Sequence, residues 1–510
     1  LNKQKTRRQI LLTLSSILLV FLTIHVVGVC LDFLSAVRYP FQFDYAEGIV
    51  WQQGLLIPGD RMFRVETGFP FIMFNYPPLF FYLVRAAQVL WPDYLTAGRA
   101  VAALGAIAVT PSLFACVLVA TRHPTAPRSS AVIGAAIAAA LFLCLDPART
   151  WGLEMRVDLP GIAFGWAGIA IAARAGGRFW GTLAALLLCL AAVFTKQSLL
   201  PAGIAVFLFA LLRRPGPALG AGILTASIGV GIVVVMQVVT DGGFLTNIIG
   251  YNLNRFDYAA GLHVIWGESD TFPFVMLMLA SASWVAASLQ MPVRRGVRRL
   301  AELIRDAGPA QACRILLLLH YVLATAMLVT IFKSGSNLNY LLDWFASGCV
   351  MLGIMLTDVS RIEARTLGHS ILLTLLAALV LSMPFRQLPD HPYAEDRPAL
   401  ERLIREVAAA DAPVASENIG LLMRAGKTMM FEPAGVTDLA MQGRWNETPL
   451  VDMIKGRRFA FMVTTDDIRG AGDRRTVAVD QAMREAYPIV EQPMKNLWVR
   501  YPPGARPSIN

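Results

Sequence analysis

Two carboxylates, Asp44 and Glu47, stand three residues apart in the stretch FQFDYAEGIV, just past the first apolar run of a 510-residue chain. They sit among aromatic residues: Phe41, Phe43, Tyr45 and Trp51. Apolar neighbours hold a carboxyl above its usual range and make it a better general base. On a helix, positions i and i+3 share a face, so the pair is expected to act together. The plain alternative is a solvated pair that caps a surface helix.

Four other polar constellations interrupt apolar sequence. EMRVD places Glu154, Arg156 and Asp158 directly before an apolar run. FTKQSLLP breaks the apolar stretch 180–212 only at Lys196 and Gln197. A lysine held at such a membrane edge suits an anionic lipid head. FKSGSNLNY ends a run at Lys333 and continues through Asn337, Asn339 and Tyr340. Its glycine and asparagines permit a turn whose amides face a phosphate. NLNRFDYAAGLH adds Arg255, Asp257 and His263. Each has a bland counterpart: an interfacial ion pair, a snorkelling lysine, a plain turn, a polar loop. Together they offer acids for a base and cations for a phosphate, which suits group transfer from a lipid phosphate to a hydroxyl.

The elements that position these residues are membrane helices. The chain is 56% hydrophobic and only 16% charged, and its mean hydropathy is +0.55. Apolar runs lie near 10–31, 98–121, 131–147, 158–174, 180–195, 198–212, 218–239, 272–290, 314–332, 340–357 and 367–384. Lipid cannot satisfy open backbone groups, so each run must be helical. About eleven spans are expected. Six segments, from NKQKTRRQ to SRIEAR, hold 18 Lys and Arg, whereas four segments that alternate with them, RTWGLEMRVD, TKQS, 240–271 and FKSGSNLN, hold only 5. That bias puts the N-terminus in the cytoplasm and loops 32–97 and 240–271 outside, with the C-terminus. The segment 77–91 breaks the parity of crossing. It opens with a proline pair, carries Arg85 and is read as interfacial or re-entrant.

From Arg386 onward 17 basic residues face 17 acidic ones, so the net charge of +10 comes wholly from the membrane part. That distribution argues against nucleic acid as a partner. The last 126 residues are read as a small α/β domain (385–510) outside the membrane, after a transmembrane domain of residues 1–384. APVASENIG, KTMMFEP, RRFAFMVTTDD and NLWVRYPP read as strands, RPALERLIREVAAA and AVDQAMREAY as helices. The six cysteines form no CxxC pair and the six histidines no HExxH, so the cysteines read as core residues and no zinc signature appears. His25, His320 and His369 read as satisfied core histidines. No phosphate-binding nucleotide loop is present.

The ordered set FDYAEG, YPPLF, RVDLP, FTKQS and KSGSNLNYLLDW resembles the GT-C membrane glycosyltransferases, nearest the protein O-mannosyltransferase and aminoarabinose-transferase branch. The likeness runs from about residue 10 to residue 357. It implies an all-α polytopic membrane protein with interfacial helices. It further implies inverting transfer of a sugar from a polyprenyl-phosphate donor to an extracytoplasmic hydroxyl of a lipid, polysaccharide or protein. On this resemblance Asp44 is the base, with Glu47 as helper or substrate clamp. Lys196, Lys333 and Arg255 bind the donor phosphate, and Arg156, Asp158, Gln197, Asn337, Asn339, Tyr340 and His263 bind substrate. The branch carries a charged pair before its two prolines, where this chain has Asn75 and Tyr76. No cofactor is needed, since lysine and arginine can neutralise the phosphate, although Asp44 and Glu47 offer a divalent ion two carboxylates. The expected location is a bacterial inner membrane. A polyprenyl-lipid transporter and a non-catalytic lipid-binding subunit are the competing readings.

Overall fold

The computed structural model of the protein describes residues 2–124, 128–266, 271–289, 302, 304–361, 366–388, 394–468 and 474–504. The basic segments 121–128, 292–314 and 360–365 lie partly outside this set.

The helices run α1 Asn2–Arg38, α2 Tyr45–Leu55, α3 Leu79–Ala87, α4 Tyr94–Ala120, α5 Arg128–Cys144, α6 Asp146–Leu153 and α7 Asp158–Ala175. They continue as α8 Phe179–Thr195, α9 Pro201–Arg213, α10 Pro215–Val239, α11 Gly243–Ile248, α12 Tyr258–Trp266 and α13 Thr271–Ser288. Helices Pro309–Met327, Leu342–Arg361 and Thr366–Ser382 complete the bundle. Among the described residues every expected apolar run carries a helix. Among the described residues, five helical segments are long and apolar enough to cross a membrane, and the bent pair α5–α6 would make a sixth. The helices Phe179–Thr195, Pro201–Arg213, Phe274–Ser288 and Leu372–Ser382 are apolar but shorter. The chain is a multi-pass membrane protein. Helix α3 has 9 residues, roughly 14 Å at 1.5 Å per residue, too short to cross. Its Arg85 turns back to the carbonyls of Gly54, Leu55 and Ile57 at the end of α2.

Small residues let the helices approach closely. A Cβ on Gly168 of α7 would stand 2.7 Å from the Ala185 carbonyl oxygen of α8, so backbone meets backbone there. The six cysteines are free, and five are buried in the bundle. His25 bonds the Phe21 and Met383 carbonyls, and His320 lies between Asp343 and Ser347. His369 has a side chain outside the described residues.

The two faces of the bundle are separate. On one, Arg213 reaches the Ile304 and Ala307 carbonyls, Arg314 reaches Ala120 and Asp358, and Arg361 reaches Thr121. On the other, the segments around Asp44, Asn75, Arg156, Lys196, Ile248 and Asn339 meet.

The last part is α/β. Its sheet has the order β1-β2-β4-β3, with β1 Ala415–Ser416, β2 Met462–Thr464, β3 Ile489–Met494 and β4 Leu497–Tyr501. β1 pairs with β2 in parallel, and the other two pairings are antiparallel. Three of the four expected strands are present. KTMMFEP instead makes one bridge, Phe431 to Phe71, and ends where Glu432 caps the helix Pro433–Met441. β3 lies where no element was expected, and that helix begins at the last residue of the stretch read as a strand.

This part packs on the segment 32–97. Leu403, Ile419, Leu422 and Val499 share a core cluster with Trp51, Phe74, Phe80 and Phe81. Arg424 pairs with Asp93 (2.6 Å) and lies over the Trp51 ring. Gln42 Oε1 accepts the Gly420 amide (2.6 Å), and the Met430 carbonyl accepts the Phe71 amide (2.8 Å). The stretch after the last bundle helix is anchored by buried Asp32 of α1. That carboxylate takes Arg149, Arg386 and the amides of Gln387 and Leu388.

Candidate active site

Asp44 and Glu47 do not share a face. Asp44 is the N-cap of α2, and its Oδ1 accepts the Glu47 amide (2.9 Å). An acid is favoured there because it satisfies an otherwise open N–H at the positive end of the helix. Glu47, one turn in, points the other way and is fully buried. Its Oε1 accepts Arg99 Nε (2.7 Å) and the Met155 amide (2.8 Å). Its Oε2 accepts Arg99 Nη2 (2.7 Å) and the Phe43 amide (2.8 Å). The remaining Arg99 donors go to the carbonyls of Ala36, Tyr39 and Phe41. Every strong acceptor position of Glu47 is filled, so the Asp44–Glu47 pair does not fit a divalent ion without breaking this clamp. Glu47 has no exposed side-chain surface.

The aromatics are engaged elsewhere. Phe43 lies under the Arg99 guanidinium at 4.0 Å, and Tyr45 hydrogen-bonds to Glu432 with Arg474 4.2 Å over its ring. Burial, aided by Glu432, pushes the Tyr45 hydroxyl well up. The expected apolar cage around Asp44 is therefore absent among the described residues.

Asp44 is open: its side chain is 41% exposed. The clamp sets what it faces, because the Met155 amide on Glu47 holds the segment 154–157 against α2. Arg156 then pairs with Asp44 through Nη2 and with Glu154 through Nε (2.8 Å). Arg99 is spent on Glu47, so one guanidinium serves two carboxylates. Burial pushes the Glu154 carboxyl up to about 8, opposed by Arg156 and aided by Asp44 and Glu47.

The cations come from helix ends. Asp158 begins α7, and Lys196 follows the last residue of α8 in an extended conformation. The antiparallel hairpin brings them together as an ion pair, each with the charge its helix end favours. Asn339 donates to the same Asp158 oxygen (3.0 Å), and the Lys196 ammonium sits 4.7 Å from the centre of the Tyr340 ring. Burial opposes the Lys196 charge most strongly, yet Asp158 together with Tyr340 and Tyr76 outweighs it and holds the ammonium above the ordinary lysine range. These residues line a small cleft whose other walls include Ile162, Leu199, Met327 and Trp344.

Lys333 lies close to Lys196 and has no ion pair among the described residues; burial lowers it first, Lys196 adds to the lowering, and Asp438 opposes. Gly335, with φ +76°, shapes the turn after it. The amides of Ser334 and Ser336 are taken by the carbonyls of Arg255 and Lys333, so they do not face a phosphate as expected. Gln197 donates to the carbonyls of Asn75 and Ile248, and its Oε1 has no partner among the described residues.

Three candidates stand apart. Arg255 pairs with Asp438 of the α/β part (3.1 Å). Asn337 is exposed and accepts the Leu338 amide (2.7 Å) as a helix cap. His263 is exposed on α12 and is not brought into the cluster.

Sequence reasoning missed Arg99 and Tyr76. An arginine inside an apolar run was itself a signal, since it needs a buried acid. Tyr76 links the two halves: burial pushes its hydroxyl up to about 12, and it feels Lys196, Asp158, Arg156 and Tyr340.

No protein-family model and no curated protein sequence matches the chain. Solved structures do. ArnT from Cupriavidus metallidurans in the apo state aligns over 93% of this chain and 96% of its own, at 12% identity and a TM-score of 0.51. The same protein bound to undecaprenyl phosphate aligns over the same shares at 11% identity and a TM-score of 0.55. The oligosaccharyltransferase AglB from Archaeoglobus fulgidus aligns over 87% of this chain and 69% of its own, at 11% identity and a TM-score of 0.47. The ordered motifs and the architecture agree: the chain has the fold of the GT-C membrane glycosyltransferases.

Proposed function

We propose that this protein transfers a sugar from a polyprenyl-phosphate donor to a hydroxyl group, with inversion, on the face that carries the α/β part. The observation that carries this reading is one juxtaposition. Asp44, an open carboxylate, pairs with Arg156, and Lys196 at the end of an apolar helix pairs with Asp158. Gln197 beside Lys196 donates to the carbonyl of Asn75 (3.0 Å), next to Tyr76, whose hydroxyl feels both Arg156 and Lys196. Lys333 is near enough to feel Lys196. The known structure of similar fold with bound undecaprenyl phosphate supports a lipid phosphate as partner.

The acceptor oxygen attacks the anomeric carbon as the bond from that carbon to the phosphate oxygen breaks. The phosphate leaves with the electron pair, and Asp44 takes the hydroxyl proton. Such a base contributes about 10²–10⁴-fold. Arg156 orients the carboxylate, and the partial exposure of Asp44 lets the proton leave to water. Lys196 and Lys333 balance the charge that grows on the phosphate in a partly dry site. The lipid tail lies along the apolar walls of the cleft, so the membrane supplies the donor. We place the site on the extracytoplasmic side of a bacterial inner membrane; the acceptor is a lipid, a polysaccharide or a protein.

The test has two steps. Lipids that copurify with the protein are identified by mass spectrometry, and transfer from that donor is then measured with purified protein. A glycosylated polyprenyl phosphate and transfer of its sugar are expected. Binding without transfer would favour a non-catalytic lipid-binding subunit, and release of the lipid across the bilayer would favour a transporter.

A further inference from the structure

The face of the bundle away from Asp44 and Lys196 carries a cavity of about 1090 Å³, as large as the roomiest small-molecule pockets. Its walls come from the ends of four helices of the bundle. They are the end of α4 at Ala120, the end of α13 at Trp284 and Ala287, the start of Pro309–Met327, and the end of Leu342–Arg361.

Among the described residues, the titratable groups on those walls are Arg122, His123, Arg314, Asp358 and Arg361. Asp358 is taken by Arg314 through two contacts, 2.8 and 2.6 Å. Arg314 also gives its Nε to the Ala120 carbonyl (2.9 Å). Arg361 donates Nη1 to the Thr121 carbonyl (2.8 Å), and its Nε is shielded from solvent and has no partner among the described residues. Arg122 is exposed. Three guanidiniums therefore meet one carboxylate, and that carboxylate is already engaged. The helix Pro309–Met327 adds the positive end of its dipole: no side chain caps it, and Ala310 and Gln311 of its first turn line the cavity.

Such a cavity suits an anion, and its walls favour one that arrives on a lipid. Trp284 and Leu289 supply apolar surface beside the arginines. On α13 Leu279, Ser283 and Ala287 follow one another at single turns and are all exposed, so an acyl chain can lie along that helix up to the cavity. We infer that this cavity binds the phosphate head of an anionic phospholipid from the adjoining leaflet, held by Arg122 and Arg361 against the uncapped helix start. The inference does not rest on sugar transfer. A bound head bridges helix ends that otherwise crowd three guanidiniums around one carboxylate, so it stabilises the bundle.

The test uses purified full-length protein in neutral detergent, titrated with phosphatidylglycerol or with phosphatidylcholine, with binding read by native mass spectrometry and stability by thermal unfolding. Phosphatidylglycerol should bind more tightly and raise the melting temperature. Arg122→Gln and Arg361→Gln should each weaken its binding by roughly fivefold, the share of one basic side chain near anionic lipid. Arg122 is exposed, so its variant keeps the test open if Arg361→Gln fails to fold. Lys333→Ala, on the other face, should leave the lipid preference unchanged. Equal binding of the two lipids, or unchanged phosphatidylglycerol binding in the folded arginine variants, would overturn the inference. Stabilisation by inorganic phosphate as large as by phosphatidylglycerol would also overturn it, since the site would then take a free anion. A preference lost in Lys333→Ala and kept in the arginine variants would move it to the opposite face and overturn it as well.

Discussion

Asp44 and Glu47 share one turn of chain, yet their surroundings are opposite. Glu47 shares its guanidinium with no other carboxylate, accepts two amides and has no exposed side-chain surface. Asp44 shares its guanidinium with Glu154 and keeps a side open. A saturated buried pair fixes geometry, because any lost partner leaves a charge stranded. An undersupplied pair keeps capacity for a proton or a substrate. The dry side of the loop therefore holds the wet side in place, and the segment 154–157 is the link between them.

The largest effect should come from breaking the dry side. Arg99→Ala strands Glu47 at zero exposure and should cost about 3–5 kcal/mol of stability. Thermal unfolding of detergent-solubilised protein would measure it. If Arg99→Ala melts like wild type, the clamp does not order the loop.

A cation on the wet side should behave in the reverse way. Lys333 is half-buried without an ion pair among the described residues, and burial works against its charge. Lys333→Ala should therefore not lower the melting temperature. It should raise the KM for donor roughly tenfold, the worth of one charged contact, with the KM for acceptor unchanged. An equal rise for both substrates would remove Lys333 from the phosphate site.

The smallest effect concerns Glu154, whose carboxyl is raised to about 8. A raised acid holds its proton more tightly folded than unfolded. Its stabilising contribution is full below the ordinary carboxylate range and is lost as pH rises through about 8. Between about pH 5 and about pH 9, wild-type melting temperature should fall for this reason. Glu154→Gln should flatten that slope, and identical slopes would show that Arg156 keeps Glu154 ionised throughout.

The bundle was legible because apolar runs in lipid leave the backbone no choice but helix. The meeting of Asp158 with Lys196 and Asn339 joins three constellations that each interrupt apolar sequence, and only the fold shows that they share one site. The clamp was not legible: Arg99 lies 52 residues from Glu47, and only the fold brings them together. Spacing alone suggested a shared face for Asp44 and Glu47, but the helix begins after Asp44, not before it. In the α/β part, Pro433 after Glu432 was a helix-start signal inside a stretch read as strand. Tyr76 escaped because a lone tyrosine after Asn75 carries no pattern; its importance lies in the neighbours the loops deliver.

The central claim is that the open carboxylate does the chemistry and the sealed one holds it. Sugar transfer by purified Asp44→Asn, measured from the copurified donor beside wild type, tests it most directly. A rate lower by about 10²–10⁴-fold is expected, with donor binding and melting temperature near those of wild type. A fully active Asp44→Asn protein would contradict the account.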